Sequence, residues 1–240
     1  MEEKMNSLKK TARGAGILYI IMDVFMIFGG MYVDSKIYVP GDAVVTVSNI
    51  LASEWLFRLG FVSNLVGLIL QLFLVHVLYE LFKSVDKGQA RLMVILVVAG
   101  VSVAFLNNLN LYAPILLFSG AGYLSAFNPA QLQTLAMVFF DMYEHGIMID
   151  EIFWGLWLIP LGLLVYKSGF IPRVLGVLLI VGCFGQLISF LSIFLFPGYS
   201  TILTPIAETI MLGELPIFLW LLIKGVNLEQ WKKRALESPG

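Results

Sequence analysis

An all-α bundle of six membrane-spanning helices is the fold this sequence predicts, and three observations predict it. The first is composition. Hydrophobic residues make up 59% of the 240 and charged residues only 13%, against about 25% charged in soluble domains. The second is that apolar runs recur six times, near 12–33, 55–81, 90–111, 147–167, 171–195 and 202–224. Each is long enough to cross a hydrocarbon core of about 30 Å at a rise of 1.5 Å per residue. The third is the placing of Lys and Arg. If both termini are cytoplasmic, that side holds Lys4, Lys9, Lys10, Arg13, Lys83, Lys87, Arg91, Lys167, Arg173, Lys224, Lys232, Lys233 and Arg234, while Lys36 and Arg58 alone lie outside. That is 13 of the 15 basic side chains, a clear positive-inside bias. The expectation is one multi-pass membrane domain over residues 1–240, with both termini cytoplasmic.

The elements follow in order. The first apolar run has basic residues before it, as a signal peptide does, but it is about 20 residues long and lacks an A-x-A-like site. It therefore reads as a retained helix. Its outer connection, VPGDAVVTVSNILASE, has a Pro-Gly turn and Asp42 as N-cap, which predicts a short helix near 43–53 with Val44, Val47 and Leu51 as its apolar stripe. KSVDKGQAR then links the second and third spans on the inner side. The next outer connection, FNPAQLQTLAMVFFDMYEH, has Asn128 as cap and Pro129 at the first helical position. It predicts a second outer helix near 129–145, with Leu132, Leu135, Ala136 and Phe139 along one face. KSGFIPR joins the fourth and fifth spans, with Gly169 to stop one helix and Pro172 to start the next. Small residues such as Gly100, Ala104, Gly176, Gly182 and Gly185 suit close helix packing, although membrane helices are rich in glycine in any case. The single Cys183 excludes an internal disulfide and a Cys-rich metal site. With a net charge of -1, the chain carries no electrostatic bias toward nucleic acid.

The motifs ARGAGILYI, VPGDAVVTVSNILASEWLFRLG and FWGLWLIPLGLLVYKSGFIPRVLGVLLIVGCFG resemble a bacterial integral-membrane family, domain-of-unknown-function family 4386. The resemblance runs over roughly residues 8–225. It implies a six-helix protein of a bacterial cytoplasmic membrane and transfers no activity and no catalytic residue.

Candidate functional residues come from the polar groups at membrane depth, because a charge at the bilayer centre costs from about 3 to more than 10 kcal/mol and normally faces the bundle interior or water. At 1.5 Å per residue, Asp23, Asn64, Gln186 and Glu214 lie roughly 13–17 Å below the outer surface. Arg58, Asn107, Asn108, Asn110, Asp150, Glu151, Ser192 and Glu208 lie within about 10 Å of it. This distribution fits an acidic cavity opening outward, and each Asn, Gln or Ser also fits a role as interhelical glue. Glu54 and Arg58, four apart, are spaced to pair. The other buried acids need protons or a bound cation, while Asp34 and Asp42 read as solvated loop residues.

Asp141 and His145 are also four apart, with Glu144 adjacent. This spacing suits ligands for a divalent metal, a solvated helix face, or a non-metal ligand site. Continuity of the helix from Asn128 to Tyr166, against a break near Gly146, stays open. His76 and Glu80 form a similar pair near the inner end. Trp55, Tyr112, Tyr123, Tyr143, Trp154 and Trp157 read as an interfacial aromatic belt or, in part, as a cation–π cradle. No H-E-x-x-H, G-x-S-x-G or Walker-type loop occurs.

Three function classes remain. The first is a protein that binds or transports a small cation, amine or lipid in an outward-open acidic pocket. Its ligand-binding residues would be Asp23, Arg58, Asn64, Asn108, Asp150, Glu151, Glu208 and Glu214. The second is an outer-leaflet lipid-modifying enzyme using Asp141, Glu144, His145 and Glu151 as acid–base or metal groups and Arg58 to hold a phosphate, with a divalent metal, bound by Asp141, Glu144 and His145, as the possible cofactor. The third is a non-catalytic accessory or signalling subunit. The partners expected are the lipid bilayer and a lipid or small cationic ligand.

Overall fold

The computed structural model of the protein describes residues 2–231, with side chains from Ser7 onward. The side chain of Lys4, and Lys232, Lys233 and Arg234, all assigned above to the basic side, lie outside the described residues. No strand occurs among the described residues. Six helical spans are long and apolar enough to cross a membrane: Ser7–Ile37, Glu54–Phe82, Lys87–Leu117, Pro129–Ser168, Arg173–Phe194 and Pro197–Ile223.

The helices are α1 (Glu2–Ile27), α2 (Asp34–Ile37), α3 (Ala43–Ala52), α4 (Glu54–Phe82), α5 (Lys87–Leu117), α6 (Pro129–Leu156), α7 (Leu158–Ser168), α8 (Arg173–Phe194), α9 (Ser200–Met211) and α10 (Leu215–Ile223). Their breaks have local causes. Phe28–Val33, between α1 and α2, is a π-helical turn. The α6–α7 interruption falls at Trp157, and Gly146 lies inside α6. Pro160 explains the position, because it has no N–H to give the carbonyl of Leu156. Pro216 likewise leaves the carbonyl of Leu212 without its helical donor, at the 3₁₀ turn Leu212–Glu214 between α9 and α10.

By contacts the chain divides into two compact units. One comprises Met1–Ile20, Leu70–Val101 and Met148–Gly240, and the other Ile21–Ile69 and Ser102–Ile147.

In the first unit, α8 packs on both α7 and α9. Glycine permits the approach. A Cβ on Gly162 would stand 2.6 Å from the carbonyl oxygen of Gly176, and one on Gly185 2.8 Å from that of Ala207. Tyr19 stacks on Phe218, with ring centroids 3.5 Å apart. At the Lys/Arg-rich end, Lys167 donates to Asp86 at 2.9 Å, and Phe82 stacks on Phe170. The Asp86 carboxylate is held below the usual range, first by that hydrogen bond and then by the backbone N–H of Gln89.

In the second unit, Val33, Ile37, Ile50, Phe57, Leu111, Ile115, Phe140 and Tyr143 form the core. Asp42 caps α3 by accepting from the Val45 N–H at 2.9 Å. The buried face of α3 is Thr46, Val47 and Ile50, while Val44 and Leu51 are exposed. The predicted stripe was therefore rotated. Helix α6 opens with a reciprocal cap. Asn128 Oδ1 accepts from the Gln131 N–H at 3.0 Å, and Gln131 Oε1 accepts from the Asn128 N–H at 2.9 Å. Its buried positions here are Ala136, Phe140 and Tyr143, so Leu132, Leu135 and Phe139 of the expected face are only partly covered.

Candidate functional site

Each unit holds its own polar cluster. In the first unit, Asp150 and Glu151 are consecutive on α6 and only 2% and 8% exposed. Gly100 on α5 makes the room. A Cβ there would stand 2.7 Å from the Phe153 Cβ and 3.5 Å from Asp150 Oδ1. On α8, the Ser189 hydroxyl approaches Glu151, and Glu208 on α9 places a like charge within electrostatic range of it. Asp150 Oδ1, Glu151 Oε2, Gln71 Oε1 and Trp154 Nε1 are buried without a hydrogen-bond partner. Neither Asp150 nor Glu151 takes part in the ion pairs Arg58–Glu54, Lys83–Glu80 and Lys167–Asp86. Buried polar atoms are normally satisfied, and an orphaned carboxylate oxygen marks a place where a proton or a ligand belongs.

The other predicted residues of this unit are less buried. Glu208 is exposed on its helix, and Glu214 is half-buried in the 3₁₀ turn.

In the second unit the polar network runs through Tyr143. Asn64 donates to the Tyr143 hydroxyl at 3.2 Å, and Asn107 donates to its carbonyl oxygen at 2.9 Å. Asn110 donates in turn to Asn107 Oδ1 at 3.1 Å. Gly29, in the π turn, lets that segment approach α4, since a Cβ there would stand 2.6 Å from the Gly60 carbonyl oxygen and would overlap Asn64. Asn108 turns back on its own helix, donating to the Ala104 carbonyl at 2.8 Å. Its Oδ1 is left without a partner. Asp23 is half-buried on α1. Arg58 binds Glu54 at 2.7 Å, as their spacing predicted, and reaches the Tyr112 hydroxyl at 3.5 Å.

Asp141, Glu144 and His145 are not brought together as metal ligands. No group of three His, Cys, Asp or Glu side chains able to hold a metal ion occurs among the described residues. His145 places Nδ1 2.7 Å from its own helix's Asp141 carbonyl, so one ring nitrogen faces backbone. Asp141 instead accepts from the Tyr38 hydroxyl at 3.5 Å. Burial, then the negative charges of Asp141 and Glu144, push the Tyr38 phenol above its ordinary range. Asp34, expected as a solvated loop residue, begins α2 and lies within electrostatic range of Glu144.

The aromatic belt also separates. Trp55 and Tyr123 are more than 70% exposed, whereas Tyr143 and Trp157 are buried. His76 and Glu80 do not pair, because Glu80 is taken by Lys83.

These features define a helical membrane protein with six candidate spans and polar side chains buried within them. The chain belongs to the family described as Domain of unknown function (DUF4386), whose model matches residues 14–225. A curated relative, an uncharacterized protein of Archaeoglobus fulgidus, is 38% identical over 82 residues, which is 34% of this chain and 48% of that protein. The chain thus matches about half the length of that relative, and the relative's source is an archaeon rather than a bacterium. No solved structure matches.

Proposed function

We propose that the protein binds, and exchanges across the membrane, a small cation at the Asp150–Glu151 pair, with protons occupying the pair when the cation is absent. The reading places the chain in the cytoplasmic membrane, with its Lys/Arg-rich end facing inward. One observation carries it: two adjacent buried carboxyls each leave an oxygen without a partner. Two negative charges in apolar surroundings cost far more than a fold can offset, so they must be neutralised by protons or by a cation. The Ser189 hydroxyl supplies a further oxygen of the kind hard cations prefer.

The test is proton movement in proteoliposomes containing a trapped pH indicator, driven by gradients of sodium, potassium, calcium or methylammonium. At least one cation is expected to drive proton flux, and Asp150→Asn and Glu151→Gln, folded by circular dichroism, are expected to abolish it. Flux that survives in both variants, or absence of flux with every cation, contradicts the reading.

A further inference from the structure

A groove of about 500 Å³ lies between α4 and α5 in the first unit, lined by Leu72, Val75, His76, Tyr79, Arg91, Val94, Ile95 and Val98. Its walls follow from sequence spacing. Positions 72, 75, 76 and 79 share one face of α4, and 91, 94, 95 and 98 share one face of α5. The helices are antiparallel across the tight turn after Phe82, where the Val85 N–H donates to the Phe82 carbonyl at 2.8 Å. Tyr79 and Arg91 therefore sit at the same level near the Lys/Arg-rich end, His76 lies one turn deeper, and the remaining walls are aliphatic.

The rim is cationic and lacks an internal counter-charge. Arg91 and His76 are exposed. Glu80, the nearest acid on α4, is held by Lys83, and Asp86 is held by Lys167. Neither Arg91 nor His76 takes part in an ion pair among the described residues. The Lys83 ammonium, paired with Glu80, lies 5.9 Å over the Tyr79 ring, so Arg91 supplies the unbalanced positive charge at the mouth.

We infer that this groove binds one anionic phospholipid, with its phosphate at Arg91 and His76 and an acyl chain along Leu72, Val75, Val94, Ile95 and Val98. The polarity gradient matches that ligand end to end, and the groove's volume falls within the range of sites for small molecules. Arginine forms paired hydrogen bonds to phosphate oxygens, and basic pockets between membrane helices suit anionic headgroups. The occupant is independent of the Asp150–Glu151 reading, since no residue is shared.

The experiment is native mass spectrometry of the purified full chain after equilibration in mixed micelles of phosphatidylglycerol and phosphatidylcholine at equal ratio. One phosphatidylglycerol is expected to be retained in preference to phosphatidylcholine. Arg91→Gln is expected to lower that preference roughly tenfold, and Val98→Trp, which fills the groove, to remove retention of both lipids. Lys87→Gln, at the same end but outside the groove, is expected to leave retention unchanged. Equal retention of the two lipids by the unaltered protein, undiminished retention in Arg91→Gln or Val98→Trp, or an equal loss in Lys87→Gln, would each overturn the site.

Discussion

Replacing Gly146 by alanine is predicted to destabilise the protein through a single neighbour. A Cβ at 146 would overlap Asn107 Oδ1 and stand 2.5 Å from Nδ2. The Asn107 amide must then move and give up its bonds to the Tyr143 carbonyl and to Asn110. Each such bond is worth about 1 kcal/mol net, and an orphaned buried amide costs about 1–3 kcal/mol. Helix propensity returns up to about 1 kcal/mol, because alanine is favoured over glycine inside a helix. The sum is a loss of about 2–4 kcal/mol. In an Asn107→Ala background the obstruction is gone and only the propensity gain remains. There Gly146→Ala is predicted to be neutral or stabilising by up to about 1 kcal/mol. The assay is reversible unfolding in detergent micelles titrated with dodecyl sulfate, followed by circular dichroism for the four members of the cycle. Equal cost of Gly146→Ala in both backgrounds would refute the reasoning.

Two further predictions concern the first unit. Gly162→Ala or Gly176→Ala sets a Cβ 2.6 Å from the carbonyl oxygen of the facing glycine. Backbone cannot yield as a side chain can, so a loss of about 1–3 kcal/mol is expected in the same unfolding assay, and an unchanged midpoint would count against the close α7–α8 contact. Asp86→Asn removes a carboxylate whose folded value is lowered by Lys167. Because that value is depressed, its contribution is full above the unfolded value of about 3.9 and is lost as pH falls through the folded value. The deficit of Asp86→Asn in thermal unfolding should therefore be constant near neutrality and shrink in acid, and a deficit that grows with acid would contradict the ion pair.

Much of the fold was legible because apolar length and basic asymmetry are written locally. Helix ends at Asp42 and Asn128 were readable for the same reason: caps are short-range. The stripe on α3 was not, since Val44 and Val47 are equally apolar and only tertiary packing selects Val47 with Ile50. Continuity through Gly146 was also hidden, because its glycine serves Asn107 across the packing interface rather than a turn. Of the polar residues, Asp150 and Glu151 were legible as acids at membrane depth together with Asp23, Glu208 and Glu214, and burial distinguishes them from those three and from Asp141 and His145. Gln71 was missed although it is a lone amide within the apolar run LILQLFLV, a signal the sequence did carry. Tyr38 gave none, because its acidic neighbours Asp141 and Glu144 lie about 100 positions further along the chain.

Proton release on cation addition tests the central claim most directly. Purified protein in weakly buffered detergent, followed with a soluble pH indicator, is titrated with each cation in turn. The account predicts release of protons in a fixed ratio to protein with at least one cation, and none from the Asp150→Asn/Glu151→Gln double variant. Release that persists undiminished in the double variant, or no release with any cation, would contradict it.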